Sequence, residues 1–302
     1  MKGITRRQLS AAGLGLAALS SRAAAAFTHP LGAELYTVRS LMPNAAGQTL
    51  QAIAAIGYKE VELDRVTLLR VAPMLEKFGL TPAACHIETP LVTGAWQPWL
   101  KMAAQRKTTY ADQSVTLAQA IDETGKRGVK YIVIPYLHPE ERGDLEYYKR
   151  LADKMNHAGA QARAAGLGFC YHNHAFEFEG ERGKRPIDIL LERLDKKSVA
   201  LELDVFWVSV GGNDPVEMLK LLKGRVPLVH LKDKAKDAPI LYSEAKVTPP
   251  TFKEVGAGSL NFAAILKAAA AAGTKHYFVE QDQTPVDPVA SLRQSYQYLR
   301  SL

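Results

Sequence analysis

The sequence predicts an α/β protein folded as a (β/α)8 TIM barrel, and three observations predict it. Eight short apolar segments alternate with eight helix-like segments between residues 31 and 299. Glycine stands between a helix and the next strand at Gly57, Gly79, Gly128, Gly166 and Gly273, where a helix C-cap favours a left-handed residue. The stretch that ends the first strand, Leu35-Tyr36-Thr37-Val38-Arg39, has no glycine, whereas the competing open doubly wound sheet places a glycine-rich phosphate loop there. Eight βα units in about 275 residues is the count of a TIM barrel. Residues 27–302 show no domain boundary and no internal repeat.

Taken in order, an apolar run at 31–38 reads as the first strand and 48–56 as the first helix. Strand 58–63 and helix 68–78 follow, then strand 80–87 between Gly79 and Glu88. Residues 88–112 are rich in Pro, Trp and Thr and poorly periodic, so they read as an insertion. Helix 114–126 leads through Gly128 to strand 129–135. The long helix 145–165 leads through Gly166 to strand 167–172. Helix 187–194, strand 199–204, helix 215–222 and strand 226–231 continue the alternation. A charged, proline-containing stretch at 232–255 reads as a second insertion. An alanine-rich helix at 260–272, strand 276–280 and helix 289–299 complete the count.

The first 26 residues stand apart. They carry Lys2, Arg6, Arg7 and Arg22 with no acid, an apolar stretch from Leu9 to Leu19, and Ala23-Ala24-Ala25-Ala26. That is the layout of an export signal with a small-residue cleavage region. Thr5-Arg6-Arg7-Gln8-Leu9 resembles the twin-arginine motif, which predicts a periplasmic protein exported after folding. An uncleaved helix or anchor is the alternative, but the stretch is shorter than the roughly 20 apolar residues a span needs. No later segment reads as a membrane span. The net charge is +7, and without the leader it falls to +3, too little to indicate a nucleic-acid partner. Cys85 and Cys170 each lie in an apolar strand-like run, which predicts buried free thiols, with a single disulfide as the alternative.

Chemistry collects where strands end. The run Gly168-Phe169-Cys170-Tyr171-His172-Asn173-His174 puts His172 and His174 on one face and Tyr171 and Asn173 on the other, because strand residues two apart share a face. Other strands end alike: Glu62 and Asp64, His86 and Glu88, Glu202 and Asp204, His230, Lys232 and Asp233, Glu280 and Asp282. In a TIM barrel these ends meet in one pocket. Mixed imidazole and carboxylate donors suit a divalent ion such as Mn²⁺, Mg²⁺, Co²⁺ or Zn²⁺, and a cation relieves the repulsion within a carboxylate cluster. Singly, several of these residues have plainer readings. Asp64 reads equally as a helix N-cap, Glu202 as facing the outer helices, Asp233 as a solvated loop acid, Lys232 as a salt-bridge partner, and Trp207 as a core residue rather than a sugar platform. Gly256-Ala257-Gly258-Ser259 opens a helix with Ser259 as its expected N-cap; an ordinary tight turn is the favoured reading over an anion site.

Together these residues resemble the sugar phosphate isomerase/epimerase family, the xylose-isomerase-like TIM barrels, over residues 30–302. The resemblance rests on Tyr171-His172-Asn173-His174 with Glu177, Leu203-Asp204, Val229-His230-Leu231-Lys232-Asp233 and Val279-Glu280; the Tyr-His-Asn-His form marks a subgroup. It implies one divalent metal held from strands five to eight by Asp204, His230 and Glu280, with His172 standing where the family has a Glu. Glu177 and Glu179, beyond the strand, are poorer substitutes. It implies a small-molecule carbohydrate substrate, proton abstraction beside a carbonyl and an enediolate, giving isomerisation or epimerisation; export, into a periplasm poor in sugar phosphates, points to a free keto sugar or a 3-keto-glucoside. Glu280 is expected as ligand and possible base, His174 or His86 as acid/base or hydroxyl binder, Lys232 as oxyanion stabiliser, and Glu62 as a further catalytic carboxylate. Elimination across a 3-keto-glycoside and non-catalytic sugar binding are the alternatives. Endonuclease chemistry, which requires more metal ligands and a basic DNA face, is not expected.

Overall fold

The computed structural model describes residues 27–106, 112–284 and 287–302. The leader at 1–26 and its export signal therefore lie outside the described residues. Eight parallel strands close a barrel in the order β1-β10-β7-β6-β5-β4-β3-β2. They are β1 (Leu31–Glu34), β2 (Glu60–Asp64), β3 (Thr81–His86), β4 (Tyr131–Ile134), β5 (Gly168–His172), β6 (Ala200–Asp204), β7 (Leu228–Leu231) and β10 (His276–Val279). Two further strands, β8 (Asp233–Lys234) and β9 (Phe252–Lys253), form an antiparallel ribbon outside the ring. The predicted TIM barrel is the observed fold.

The helices are α1 (Met42–Ile56), α2 (Arg65–Phe78), α3 (Pro90–Thr93), α4 (Trp96–Arg106), α5 (Leu117–Gly125), α6 (Leu145–Ala164), α7 (Pro186–Arg193), α8 (Val205–Val210), α9 (Pro215–Leu221), α10 (Phe262–Ala272) and α11 (Pro288–Ser301). Their ends follow capping chemistry. Asp64 accepts from the Thr67 N–H at 2.8 Å and starts α2, so its plain reading as an N-cap holds. Asp144 starts α6 by accepting from Tyr147 N–H at 2.9 Å. Gly79 at φ +67° and Gly273 at φ +90° end α2 and α10 in the left-handed region.

Three departures from the sequence reading bear on the site. The first strand stops at Glu34, not residue 38; the chain turns into a 3-10 helix (Leu35–Val38) whose Tyr36 N–H donates back to the Glu34 carboxylate. The short helix α8 follows β6 directly, because Asp204 accepts from the Trp207 N–H at 2.9 Å and caps it. The helix cap near 260 is Asn261, which accepts from Ala264 N–H at 3.0 Å, not Ser259. The insertions have structure of their own: α3 and α4 occupy most of 88–106, while 107–111 lie outside the described residues, and the β8–β9 ribbon brackets the second.

The main core lies between barrel and helices, where Leu50, Val61, Leu63, Val71, Ile132, Leu201, Val229 and Leu292 are buried. A second, smaller core fills the barrel itself: Ala84, Val133, Cys170, Leu228 and Phe278. Gly32 makes room for it, since a Cβ there would stand 2.3 Å from the Phe278 ring. Cys85 belongs to the outer core and Cys170 to the inner one, and both are free thiols. The beginning and end of the described chain meet beneath the barrel, where Arg300 donates to the carbonyls of Phe27 and His29 at 2.8 and 3.0 Å. Among the described residues no helix is long and apolar enough to cross a membrane.

Candidate active site and metal centre

The strand period builds the site in layers. Two residues above Ala84, Cys170, Leu228 and Phe278 come His86, His172, His230 and Glu280, so a polar layer rests directly on the apolar plug. Register adds Glu34 beside Glu62 and Glu202 beside His172. Above these come Asp204, Lys232 and His174, and Asp282 just past the end of β10. Glu62, Glu202, Asp204 and His230 have no exposed surface.

At the upper level the Lys232 ammonium lies 2.9 Å from Asp204 Oδ2, 2.6 Å from Glu280 Oε2 and 3.1 Å from Asp282 Oδ2. Burial disfavours its charge, but the three carboxylates outweigh that and raise its pKa well above the ordinary lysine value. Burial would likewise raise Glu280, yet Lys232 and His230 hold it well below the usual carboxylate range. Asp282 is pushed by burial up to about 6, with Lys232 acting against the rise. His172 Nε2 is 3.7 Å and His230 Nδ1 3.9 Å from Asp204 Oδ2, and His230 Nδ1 is 2.8 Å from Glu280 Oε2.

The lower level is joined to the upper one through His230. Its Nε2 contacts Glu62 Oε2 and lies 3.3 Å from Glu202 Oε2. His86 Nε2 lies 3.3 Å from Glu62 Oε1 and 3.6 Å from Glu202 Oε2. His172 Nδ1 is 3.0 Å from Glu202 Oε2. Burial acts against charge on His86 and His230, but the surrounding carboxylates raise both well above the ordinary histidine value. Burial would raise Glu202; the His230 charge and the His172 contact hold it well below its ordinary range. Burial, with the charge of Glu280, raises Glu34.

His174 differs from the other imidazoles. Its ring sits among His172, Tyr136 and Trp207 at centroid distances of 5.0, 4.9 and 5.1 Å. Burial, then the charges of His172 and Lys232, lower its pKa well below the ordinary value, so it is neutral, and its buried Nδ1 has no hydrogen-bond partner. Its backbone is fixed by Glu177, which accepts from the His174 N–H at 2.9 Å and from the Tyr171 hydroxyl at 2.6 Å. Burial pushes Glu177 up to about 8. Glu177 is thus occupied in holding the loop after β5, and Glu179 is exposed; neither stands in for the strand-five Glu.

The residues expected from the sequence fall within this assembly as follows. His172, Asp204 and His230 each offer one atom within 4.8 Å of the others'. Glu280 reaches His230 and Lys232, and Lys232 lies among the three carboxylates it pairs with. Glu62 and His86 belong to the lower level, and His174 faces the mouth side. One member has no signal in the sequence: Glu34 reads as mid-strand, because nothing in Leu35-Tyr36-Thr37-Val38 marks the strand's end. Of the two readings open to Glu202, the strand-end one is observed: its two-residue spacing from Asp204 requires the same face as Asp204, and it does not face the outer helices. Asp233 is fully buried and not a solvated loop acid. Its carboxylate accepts from the backbone N–H groups of Gly256, Gly258, Ser259 and Leu260 at 2.9–3.0 Å. The glycine-rich turn is therefore an anion cradle filled by the chain's own aspartate. Trp207 is 3% exposed, so its ring faces are given to packing.

The donor set fits a divalent cation. Asp204 Oδ2 is buried and makes ion pairs but no hydrogen bond, and imidazole nitrogen with carboxylate oxygen is a ligand mixture that Zn²⁺, Mn²⁺ and Co²⁺ accept.

A closed eight-stranded barrel whose strand ends carry imidazoles and carboxylates defines a class of α/β enzyme-like scaffolds. The model of the xylose isomerase-like TIM barrel matches residues 50–302, and the chain belongs to that family. It is 30% identical over 171 residues to an inosose dehydratase of Geobacillus thermodenitrificans, covering 53% of this chain and 55% of that protein. It is 26% identical over 273 residues to an inosose dehydratase of Clostridium botulinum, covering 85% and 89%. The chain thus spans about half the length of the first of these relatives and most of the second. Among solved structures, a sugar phosphate isomerase/epimerase from Parabacteroides distasonis superposes with a TM-score of 0.70 at 23% identity, covering 94% of this chain and 96% of that one. The IOLI protein with a bound zinc atom gives 0.65 at 17%, covering 89% and 96%. The 3-keto-D-glucoside 4-epimerase YcjR from E. coli gives 0.62 at 15%, covering 91% and 100%.

Proposed function

We propose that this protein is a divalent-metal-assisted enzyme that enolises a polyhydroxylated ketone, a keto sugar or keto cyclitol, and so isomerises or epimerises it. The observation that carries the reading is the pairing of opposites at the mouth. A buried ammonium, Lys232, is caged by carboxylates, and a neutral imidazole, His174, has a free buried nitrogen nearby. A metal at His172, Asp204, His230 and Glu280 would supply Lewis-acid polarisation of the carbonyl. His174 Nδ1, or Glu280, takes the proton from the carbon next to the carbonyl. The C–H electron pair becomes the second bond of a C=C unit, and the carbonyl π pair moves onto oxygen. Lys232 donates a hydrogen bond to that oxygen and offsets its charge. Return of the proton to the former carbonyl carbon, with the proton of the neighbouring hydroxyl passing to the former carbonyl oxygen, isomerises the substrate; return to the opposite face of the original carbon epimerises it.

A second reading is favoured by the inosose dehydratase relatives. The same enolate can expel a β-hydroxyl as water, with protonated His86 or Lys232 as the acid that supplies the leaving group's proton. The filled cradle at Gly256–Ser259 supports an uncharged substrate over a sugar phosphate, because its N–H donors are already used by Asp233. The basic leader, read as an export signal, supports the same choice, since an exported enzyme meets free sugars. The test is proton NMR in D₂O with Mg²⁺ or Zn²⁺ across free ketoses, an inosose and 3-keto-glucosides. Deuterium should enter the carbon beside the carbonyl, EDTA should stop it, and His174→Gln should slow it by about 100-fold or more. The product then separates isomerase from dehydratase. A metal-loaded protein that binds these sugars without exchange would be a binding protein, and the proposal would be wrong.

A further inference from the structure

We propose that the barrel holds a second divalent cation one layer beneath the first, between Glu62, His86, Glu202 and the Nε2 side of His230. Each of the four offers one ligand atom within 4.8 Å of the others'. They come from β2, β3, β6 and β7, whereas the expected metal draws on β5, β6, β7 and the residue that follows β10.

Two features point to a cation. First, part of each carboxylate is left without a hydrogen bond. Glu62 Oε2 meets His230 Nε2 and Glu202 Oε2 meets His172 Nδ1, but Glu62 Oε1 and Glu202 Oε1 accept no hydrogen bond, and His86 Nε2, 3.3 and 3.6 Å from two carboxylate oxygens, makes none. Glu62 and Glu202 have no exposed surface, so no solvent reaches these oxygens from outside. Buried carboxylate oxygens without donors are costly, and a cation satisfies several at once. Second, His230 is divided between levels. Its Nδ1 faces Glu280 at 2.8 Å and Asp204 at 3.9 Å, while its Nε2 faces Glu62 and Glu202. An imidazole without N–H protons can ligate one metal through each nitrogen, so the ring would bridge the two centres.

Two nitrogens and two carboxylate oxygens form a four-donor set that favours Zn²⁺ or Co²⁺ over Mg²⁺, which demands six oxygens and keeps water. The His86 side chain, 15% exposed, is the one member of the cluster that reaches solvent.

The experiment is metal stoichiometry on full-length protein, stripped with chelator and titrated with Co²⁺. Bound metal is counted by plasma mass spectrometry after dialysis, and coordination is read from the visible Co²⁺ absorption. Two ions per chain are expected in the parent. His86→Phe and Glu62→Gln, each checked for retained secondary structure by circular dichroism, should bind one. Asp204→Asn should also bind one, with a different absorption band, because it empties the upper level. One ion or none per chain in the parent, or two ions that persist in both His86→Phe and Glu62→Gln, would overturn the proposal. The readout is independent of turnover, so it stands or falls apart from the enolisation reading.

Discussion

Lys232 shows how much one side chain carries. It is 1% exposed and offsets the charge of Asp204, Glu280 and Asp282. Removing one partner of a buried ion cluster strands the others, at a typical cost of about 3–5 kcal/mol. Lys232→Met should lose stability on that scale in urea denaturation without metal. Added Zn²⁺ should restore part of the loss, because a cation can replace the missing ammonium. Glu177 has the opposite electrostatics: it is buried, with its pKa raised from 4.5 to about 8. A carboxyl raised in the folded state binds its proton more tightly there than in the unfolded chain, so its contribution is complete below about pH 4.5 and is lost as pH rises through 8. The melting temperature should therefore fall between those values from this source. Glu177→Gln, which keeps the side chain neutral, should flatten that part of the profile; an unchanged slope in a thermal scan series would refute the assignment.

At the scale of elements, the loop after β7 is held from its first residue. The Asp233 carboxylate gathers the N–H groups of Gly256, Gly258, Ser259 and Leu260, and the β8–β9 ribbon closes the same loop from the other side. An amide in place of the carboxylate keeps one acceptor oxygen and turns an N–H₂ toward donors. Asp233→Asn should therefore make residues 235–251 the first site of cleavage in limited proteolysis, with the barrel left intact. The strands and most helices were legible in the sequence because their signals are local: apolar runs, caps and glycines such as Gly79 and Gly273. The face shared by His172 and His174 was legible for the same reason. Glu34 was not, since the passage from strand to 3-10 helix happens inside a uniform apolar run and depends on the side chain of Glu34 folding back to Tyr36. The small helix α8 was hidden too: Val205-Phe206-Trp207-Val208 has the composition of a strand, and only the Asp204 cap tells otherwise. The lower cluster of Glu62, His86, Glu202 and His230 could not be read from spacing, because ring closure, not any local pattern, brings β2 and β3 across to β6 and β7.

For the molecule as a whole, the barrel divides its interior by height. Phe278, Leu228, Cys170, Val133 and Ala84 seal the lower part, and the charged layers stand on that seal, away from water below. The polar groups can thus be numerous and buried without undermining the outer core, which lies on the other face of the same strands. Closure needs β1 to pair with both β2 and β10, so the ring is complete only when residues near 279 have joined those near 31. The meeting of Arg300 with Phe27 and His29 places both ends of the described chain under this seal, on the side opposite the mouth. The gap between Phe27 and Leu302 is therefore a seam in the floor with no part in the chemistry. A circular permutant that joins Leu302 to Phe27 through a short linker and opens at another floor loop would present the same ring of side chains above, and a partner fused after Leu302 would leave the entrance clear.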